Sequence, residues 1–155
     1  MINRKVTVYA DTSVYGGVFD DEFAEPSTAF FNLVRTGTFT LCMSEIVHQE
    51  LADAPAEVKT LFQEILPFCR LLELGPAALA LQEAYFNENI LTKKWYDDAL
   101  HVALATVTEC DVIVSWNFQH IVNFRKIPLF NAVNVLKGYR QIAIYSPLEV
   151  INYEE

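Results

Sequence analysis

The stretch "DVIVSWNFQHI", Asp111 to Ile121, decides how the rest of the chain reads. Val112-Ile113-Val114 is a β-branched run with no polar alternation, which suits a strand covered on both faces of its sheet. It stops in Ser115-Trp116-Asn117-Phe118, so polar side chains stand where a buried strand would surface. Such a place belongs more often to a site than to a core. The polar group at 117 is an amide, whereas hydrolytic chemistry more often uses a carboxylate. Whether Asn117 is part of a site, or marks the loss of one, depends on what the rest of the chain brings to that strand end.

Working outward, strands and helices alternate. "KVTVYA" (Lys5 to Ala10) reads as a first strand that turns polar at Asp11-Thr12-Ser13. Gly16-Gly17 and the acidic "DDEFAEP" suggest a loop, followed by a helix from about Ser27 to Arg35 that Gly37 stops. "FTLCM" (Phe39 to Met43) is a second buried strand, and Ser44 then caps a helix carrying Glu45, Ile46, Val47, Glu50 and Leu51. Helical periodicity returns from Ala56 to Leu66 and from Ala77 to Asn87, with Pro55, Pro67 and Pro76 as punctuation. "LLEL" (Leu71 to Leu74) reads as a short strand between them. A helix from about Trp95 to Glu109 places Leu100, Ala103, Leu104 and Val107 on one face. After Val112 to Ser115, "NAVNVLKGYR" is helical, with Gly138 closing it, and "QIAIY" (Gln141 to Tyr145) is a last strand. Ser146, Pro147 and Glu149 form a capping box, which leaves Glu149 no catalytic role. The pattern is α/β: a three-layer α/β/α sandwich with a mainly parallel central sheet, in one domain over residues 1–155.

The composition agrees. Of the 155 residues 52% are hydrophobic and 20% charged, enough apolar surface for a core and unlike a disordered chain. No apolar run is long enough to span a bilayer, and the basic N-terminus feeds a strand rather than a signal sequence, so the expectation is a cytoplasmic protein. Cys42, Cys69 and Cys110 are widely spaced in apolar surroundings and read as reduced core thiols. A formal charge of −9 argues against a broad basic surface for nucleic acid, although not against a nuclease, whose metal pocket is itself acidic. Any nucleic-acid contact is then local, or helped by a partner.

In a parallel sheet, ligands gather beyond the carboxyl ends of the strands. Three acids fall there. Asp11 ends the first strand, Glu50 lies on the helix after the second, and Asp98 is in the first turn of the helix feeding "VIVS", beside Asn117. Clustered carboxylates repel one another, and a hard divalent cation such as Mg²⁺ or Mn²⁺ relieves the repulsion with oxygen ligands. Such an ion activates water and polarises a phosphoryl oxygen, which suits phosphodiester hydrolysis. Each residue also has an ordinary reading. Asp11-Thr12-Ser13 can cap a helix, Asp97 and Asp98 can complement a helix dipole, and Glu50 can be solvated. His101 reads as a helix-face residue, His120 as a phosphate contact or a surface histidine, and Trp95 and Trp116 as packing. It is the combination that favours a site.

"VYADTSV", "SEIVHQEL", "DALHVALA" and "DVIVSWN" resemble, in order, the four motif regions of PIN-domain nucleases, and within them the VapC-like toxins of toxin–antitoxin pairs. The resemblance covers nearly the whole chain and implies the same parallel sheet between helices. It implies Mg²⁺- or Mn²⁺-dependent endoribonuclease activity on RNA, an antitoxin protein as partner, and a homodimer. Position by position, the family's first three acids fall on Asp11, Glu50 and Asp98, and its orienting Ser or Thr falls on Ser115. Asn117 takes the fourth acid position, where the sequence departs from the family.

The expectation is therefore a metal-dependent ribonuclease. Asp11, Glu50 and Asp98 would hold the ion, Asn117 would be a neutral outer ligand, Thr12 and Ser115 would position Asp11, and His120 would support. The alternative is a catalytically silent PIN-like module that binds a protein or RNA. A nucleotide-binding protein is disfavoured, because no Gly-rich phosphate loop of the expected form is present. The helical aromatics Phe30, Phe31, Phe62, Phe68, Tyr85 and Phe86 exceed what one core readily holds, which adds to the expectation of a dimer.

Overall fold

The structure, a computed structural model, describes residues 4–152. Five strands form one all-parallel sheet in the order β3-β2-β1-β4-β5, with β1 Val6–Ala10, β2 Phe39–Ser44, β3 Cys69–Leu72, β4 Val112–Val114 and β5 Ala143–Tyr145. The chain winds outward from β1 to β3, then returns to lay β4 on the other side of β1. The switch point therefore falls between the carboxyl ends of β1 and β4. Register fixes what meets there: Ala10 pairs with Val114, and the Asp11 amide donates to the Val114 carbonyl at 3.3 Å. At the other end of the same pair Asp111 is structural. Its carboxylate accepts from the Thr7 amide at 2.9 Å, the Thr7 hydroxyl and Arg4, pinning the start of β4 to β1.

The helices are α1 Thr12–Gly17, α2 Ala24–Arg35, α3 Glu45–Leu51, α4 Ala56–Ile65, α5 Pro76–Asn87, α6 Tyr96–Val107, α7 Lys126–Leu136 and α8 Pro147–Val150. α1 touches α2, α3 and α4, and α2 touches α8; α5 touches α6 and α7. These two groups clothe the two faces of the sheet, giving the three-layer α/β/α sandwich. No helix among the described residues is long and apolar enough to cross a membrane.

Most departures from the sequence reading lie at element ends. The "TSVYGG" segment is helical although Gly16-Gly17 suggests a turn, because Val14 and Tyr15 bury completely beneath it. α2 begins at Ala24 and takes Pro26 into its first turn, where a proline loses no helical bond. α7 likewise begins at Lys126, with Pro128 in its first turn, and Gly138, at φ +88, follows its end. β3 lies two residues earlier than "LLEL", since pairing Leu41 with Cys69 and Ser44 with Leu72 sets its register. Ser146 gives no side-chain cap; its hydroxyl donates to the Glu149 carboxylate instead. The aromatics offer no reason for a dimer. Phe30, Phe31, Phe62, Tyr85 and Phe86 all fit the single core, and of that set only Phe68 is exposed.

Candidate active site

Asp11 occupies the capping position before α1, yet its side chain makes no cap. It turns to the switch point instead. Ser13 Oγ donates to Oδ1 at 2.5 Å and Ser115 Oγ donates to Oδ2 at 2.8 Å. The two hydroxyls are tied in turn to backbone: Trp116 N donates to Ser13 Oγ, and Asn117 N to Ser115 Oγ, each at 2.9 Å. Asp11 is only 4% exposed. Burial raises its pKa, and its repulsion from Glu50 adds to that, against the pull of His101 and the two serines.

Glu50, on α3, is held by His101 of α6, whose Nε2 lies 2.5 Å from its Oε1. The other nitrogen, Nδ1, lies 2.6 Å from the Tyr9 hydroxyl, which lies 2.7 Å from Ser44 Oγ. Ser44 also caps α3, accepting from Val47 N. One polar relay thus runs from the end of β2 through β1 and α6 to Glu50. Burial by itself lowers the His101 pKa, but the bond to Glu50 and the charges of Asp11, Glu50 and Asp98 outweigh it, so the pKa is raised. With both ring nitrogens protonated, Tyr9 accepts from Nδ1 and passes its own hydrogen to Ser44. For Glu50, burial acts upward and His101 more strongly downward, which leaves its pKa lowered.

Asp98, in the first turn of α6, meets His120 Nδ1 at 3.0 Å. Burial raises its pKa, while His120, His101 and the Asn117 side chain work the other way. His120 is buried and its ring lies tilted against Trp95, ring centroids 3.9 Å apart. Asn117 holds this loop closed: its Oδ1 accepts from Gln119 N at 3.2 Å and His120 N at 2.9 Å. That oxygen has both lone pairs engaged, which disfavours the neutral-ligand role and fits positioning of His120.

Asp11, Glu50 and Asp98 thus all act on one buried imidazole, His101. Among the described residues, no three His, Cys, Asp or Glu side chains form a ready metal cage. The donor chemistry still suits a hard cation, with Glu50 repelling both Asp11 and Asp98 and the Thr12 hydroxyl beside Glu50 helping to hold its charge. Thr12 does not bond Asp11; Ser13 does. The sequence reading missed Ser13, Tyr9 and the place of His101. A signal was available for His101, because Asp98 and His101 are three apart in a helix and share a face.

No protein-family model matches the sequence, and none of the curated proteins compared matches it. Solved structures do. VapBC2 from Rickettsia felis, bound to a DNA fragment from its promoter, is similar with a TM-score of 0.62 and 12% identity, over 91% of this chain and 98% of that one. FitAcB from Neisseria gonorrhoeae gives 0.55 and 16% over 91% and 98%. VapC20 from Mycobacterium tuberculosis, a toxin that cleaves the sarcin–ricin loop, gives 0.51 and 13% over 88% and 98%. At these identities the likeness is one of fold: the chain has the PIN-like fold of VapC-type toxins.

Proposed function

We propose that the chain is a metal-dependent endoribonuclease acting as the toxin of a toxin–antitoxin pair. The observation that carries this reading is the set of three braced acids at the switch point of a VapC-like fold: buried Asp11 held by two serines, Glu50 held by His101 and Asp98 held by His120. Asp11, Glu50 and Asp98 would hold Mg²⁺ or Mn²⁺, which supplies charge for the phosphoryl oxygens and an activated water. The chain's own work is positional. Ser13 and Ser115 fix Asp11, His101 fixes Glu50, and Asn117 closes the loop that sets His120 against Asp98. An antitoxin would dock on the apolar groove along β3, lined by Met43, Phe62, Leu66, Leu71 and Leu72. A homodimer would use the exposed Leu129 and Leu136, seven residues apart on α7.

Asp11→Asn and Asp98→Asn should each abolish Mn²⁺-dependent RNA cleavage. Cleavage at the wild-type rate in both variants would end the proposal. The silent-module reading is favoured by one observation: each of the three carboxylates already has a hydrogen-bonding partner in Ser13, Ser115, His101 or His120. Calorimetric titration with Mn²⁺ separates the two, since no binding at millimolar metal would support the silent module.

A further inference from the structure

Six of the eleven Lys and Arg residues stand in adjacent pairs, and two of these pairs, Lys93-Lys94 and Arg125-Lys126, flank the helix and loop that carry Asp98 and His120. Lys126 Nζ donates to the Ile90 carbonyl at 3.4 Å, which ties the second pair to the segment that leads into the first. Lys93 makes an exposed ion pair with Glu83, whereas Lys94 and Arg125 make none among the described residues. In a chain of charge −9, this is a local concentration of cations.

Aromatic rings lie among them. Trp95 has Lys94 Nζ 5.0 Å from its centroid and the His120 ring tilted against it, and His120 touches Asp98. The contacts are continuous from the rim to a candidate catalytic acid. Phe118 is 49% exposed and Phe124 93% exposed. Both are carried on the loop that Asn117 and Asn123 brace: Asn123 Nδ2 donates to the Phe118 carbonyl, and its Oδ1 accepts from Arg125 N and Lys126 N. An almost fully exposed phenylalanine on a hydrogen-bonded loop packs nothing in this fold.

We infer that Lys94, Phe118, Phe124 and Arg125 form a subsite for an unpaired RNA nucleotide next to the cleaved bond. Phe124 stacks the base while Lys94 and Arg125 hold the flanking phosphates. Exposed rings on the same loop as a cation free of ion pairs suit the bases and phosphates of a single strand, and a duplex hides the base faces that such rings need. Trp95, already covered by Lys94 and His120, is a positioning residue. The inference rests on the nuclease reading, and its test is independent of turnover.

Fluorescence anisotropy in EDTA would use a labelled single-stranded RNA of about 12 nucleotides and its blunt duplex. The wild type should prefer the single strand. Phe124→Ala should weaken that binding roughly 5- to 100-fold, and Phe124→Trp should restore it. Lys94→Ala with Arg125→Ala should weaken it and flatten its salt dependence. Absence of single-strand binding, equal affinity for duplex, or a Phe124→Ala variant within about twofold of wild type would overturn the subsite and leave this face to a protein partner. If Asp11→Asn is inactive while Phe124→Ala binds and cleaves normally, the subsite falls and the nuclease reading stands. If Asp11→Asn cleaves normally, the nuclease reading falls by itself.

Discussion

Burying an imidazole between a phenol and a carboxylate is costly unless every polar atom is met, and around His101 each one is. His101→Phe removes the donor to Glu50 and the partner of Tyr9. Glu50 keeps 29% of its side-chain surface in water, so the loss should sit below that of a fully buried broken pair, at about 2–3 kcal/mol by urea denaturation. The pH dependence has a defined sign. The raised pKa of His101 means that the folded state holds its proton more tightly than the unfolded chain does. Its contribution is fully present below the unfolded value of about 6.5 and is lost as pH rises through the folded one. Raised pKa values at Asp11 and Asp98 act in the same direction at lower pH, and the lowered Glu50 opposes them. With a chelator present, stability should fall as pH rises above about 6.5 in the wild type, and fall less steeply in His101→Phe. Equal slopes in the two proteins would exclude a charged His101. Cys69 gives a simpler check. Burial pushes its thiol up to about 12, and Sγ donates to the Ile65 carbonyl at 3.3 Å. At about pH 8 it should react with iodoacetamide far more slowly than free cysteine.

Between elements, the join of α1, α2 and the strand β4 loop rests on a close approach at Gly17. A Cβ there would lie 2.5 Å from Ser27 Oγ and 2.7 Å from Trp116 Nε1, the two groups that bond each other at 2.8 Å. Gly17→Ala should therefore cost about 1–3 kcal/mol and alter tryptophan fluorescence. Gly16→Ala is the control: nothing lies within 4 Å of its Cβ, and the substitution should stabilise α1 by up to about 1 kcal/mol. Matching thermal shifts in the two variants would refute this account. The same pair shows where sequence patterns stop. Two glycines in a row read as a turn, and nothing local says that Tyr15 and Val14 will hold them in a helix. The alternation of strands and helices is legible because most strands are short apolar runs with their own punctuation, and β3, which carries the exposed Arg70, is the one with both bounds shifted. The acids were legible because strand ends and first helical turns are recognisable in one dimension. His101 was not: its partners Tyr9 and Glu50 are 92 and 51 residues away, and only the folded sheet brings them together. Ser13 was overlooked because hydroxyls after a strand usually cap helices, and here Asp11 in the capping position leaves its side chain free for the site.

For the whole molecule, the distribution of charge matters more than its sum. A parallel sheet collects the carboxyl ends of its strands on one side, and the acids follow them. Three of the five arginines, Arg4, Arg70 and Arg140, surround a polar pocket with Thr108 and Glu109, near the start of β1 and the end of α6. There Arg70 and Arg140 donate to the Thr108 and Glu109 carbonyls beyond α6, a role in which cations complement a helix end. Those arginines are thus occupied and stand away from the crevice. The cations proposed to meet a polyanion reaching the acids are those of residues 93–94 and 125–126, four at most, one of them already paired with Glu83. Each phosphate neutralised on a single strand contributes about −0.7 to the slope of log affinity against log salt. Three or four contacts then give a slope of roughly −2 to −3, and the surrounding net charge of −9 adds repulsion that salt screens rather than strengthens. RNA affinity measured from low to physiological salt should therefore fall gently, far less than for proteins with broad basic grooves. A slope steeper than about −5 would require phosphate contacts from elsewhere on the surface, and so a path for RNA across the molecule other than the rim beside Asp98.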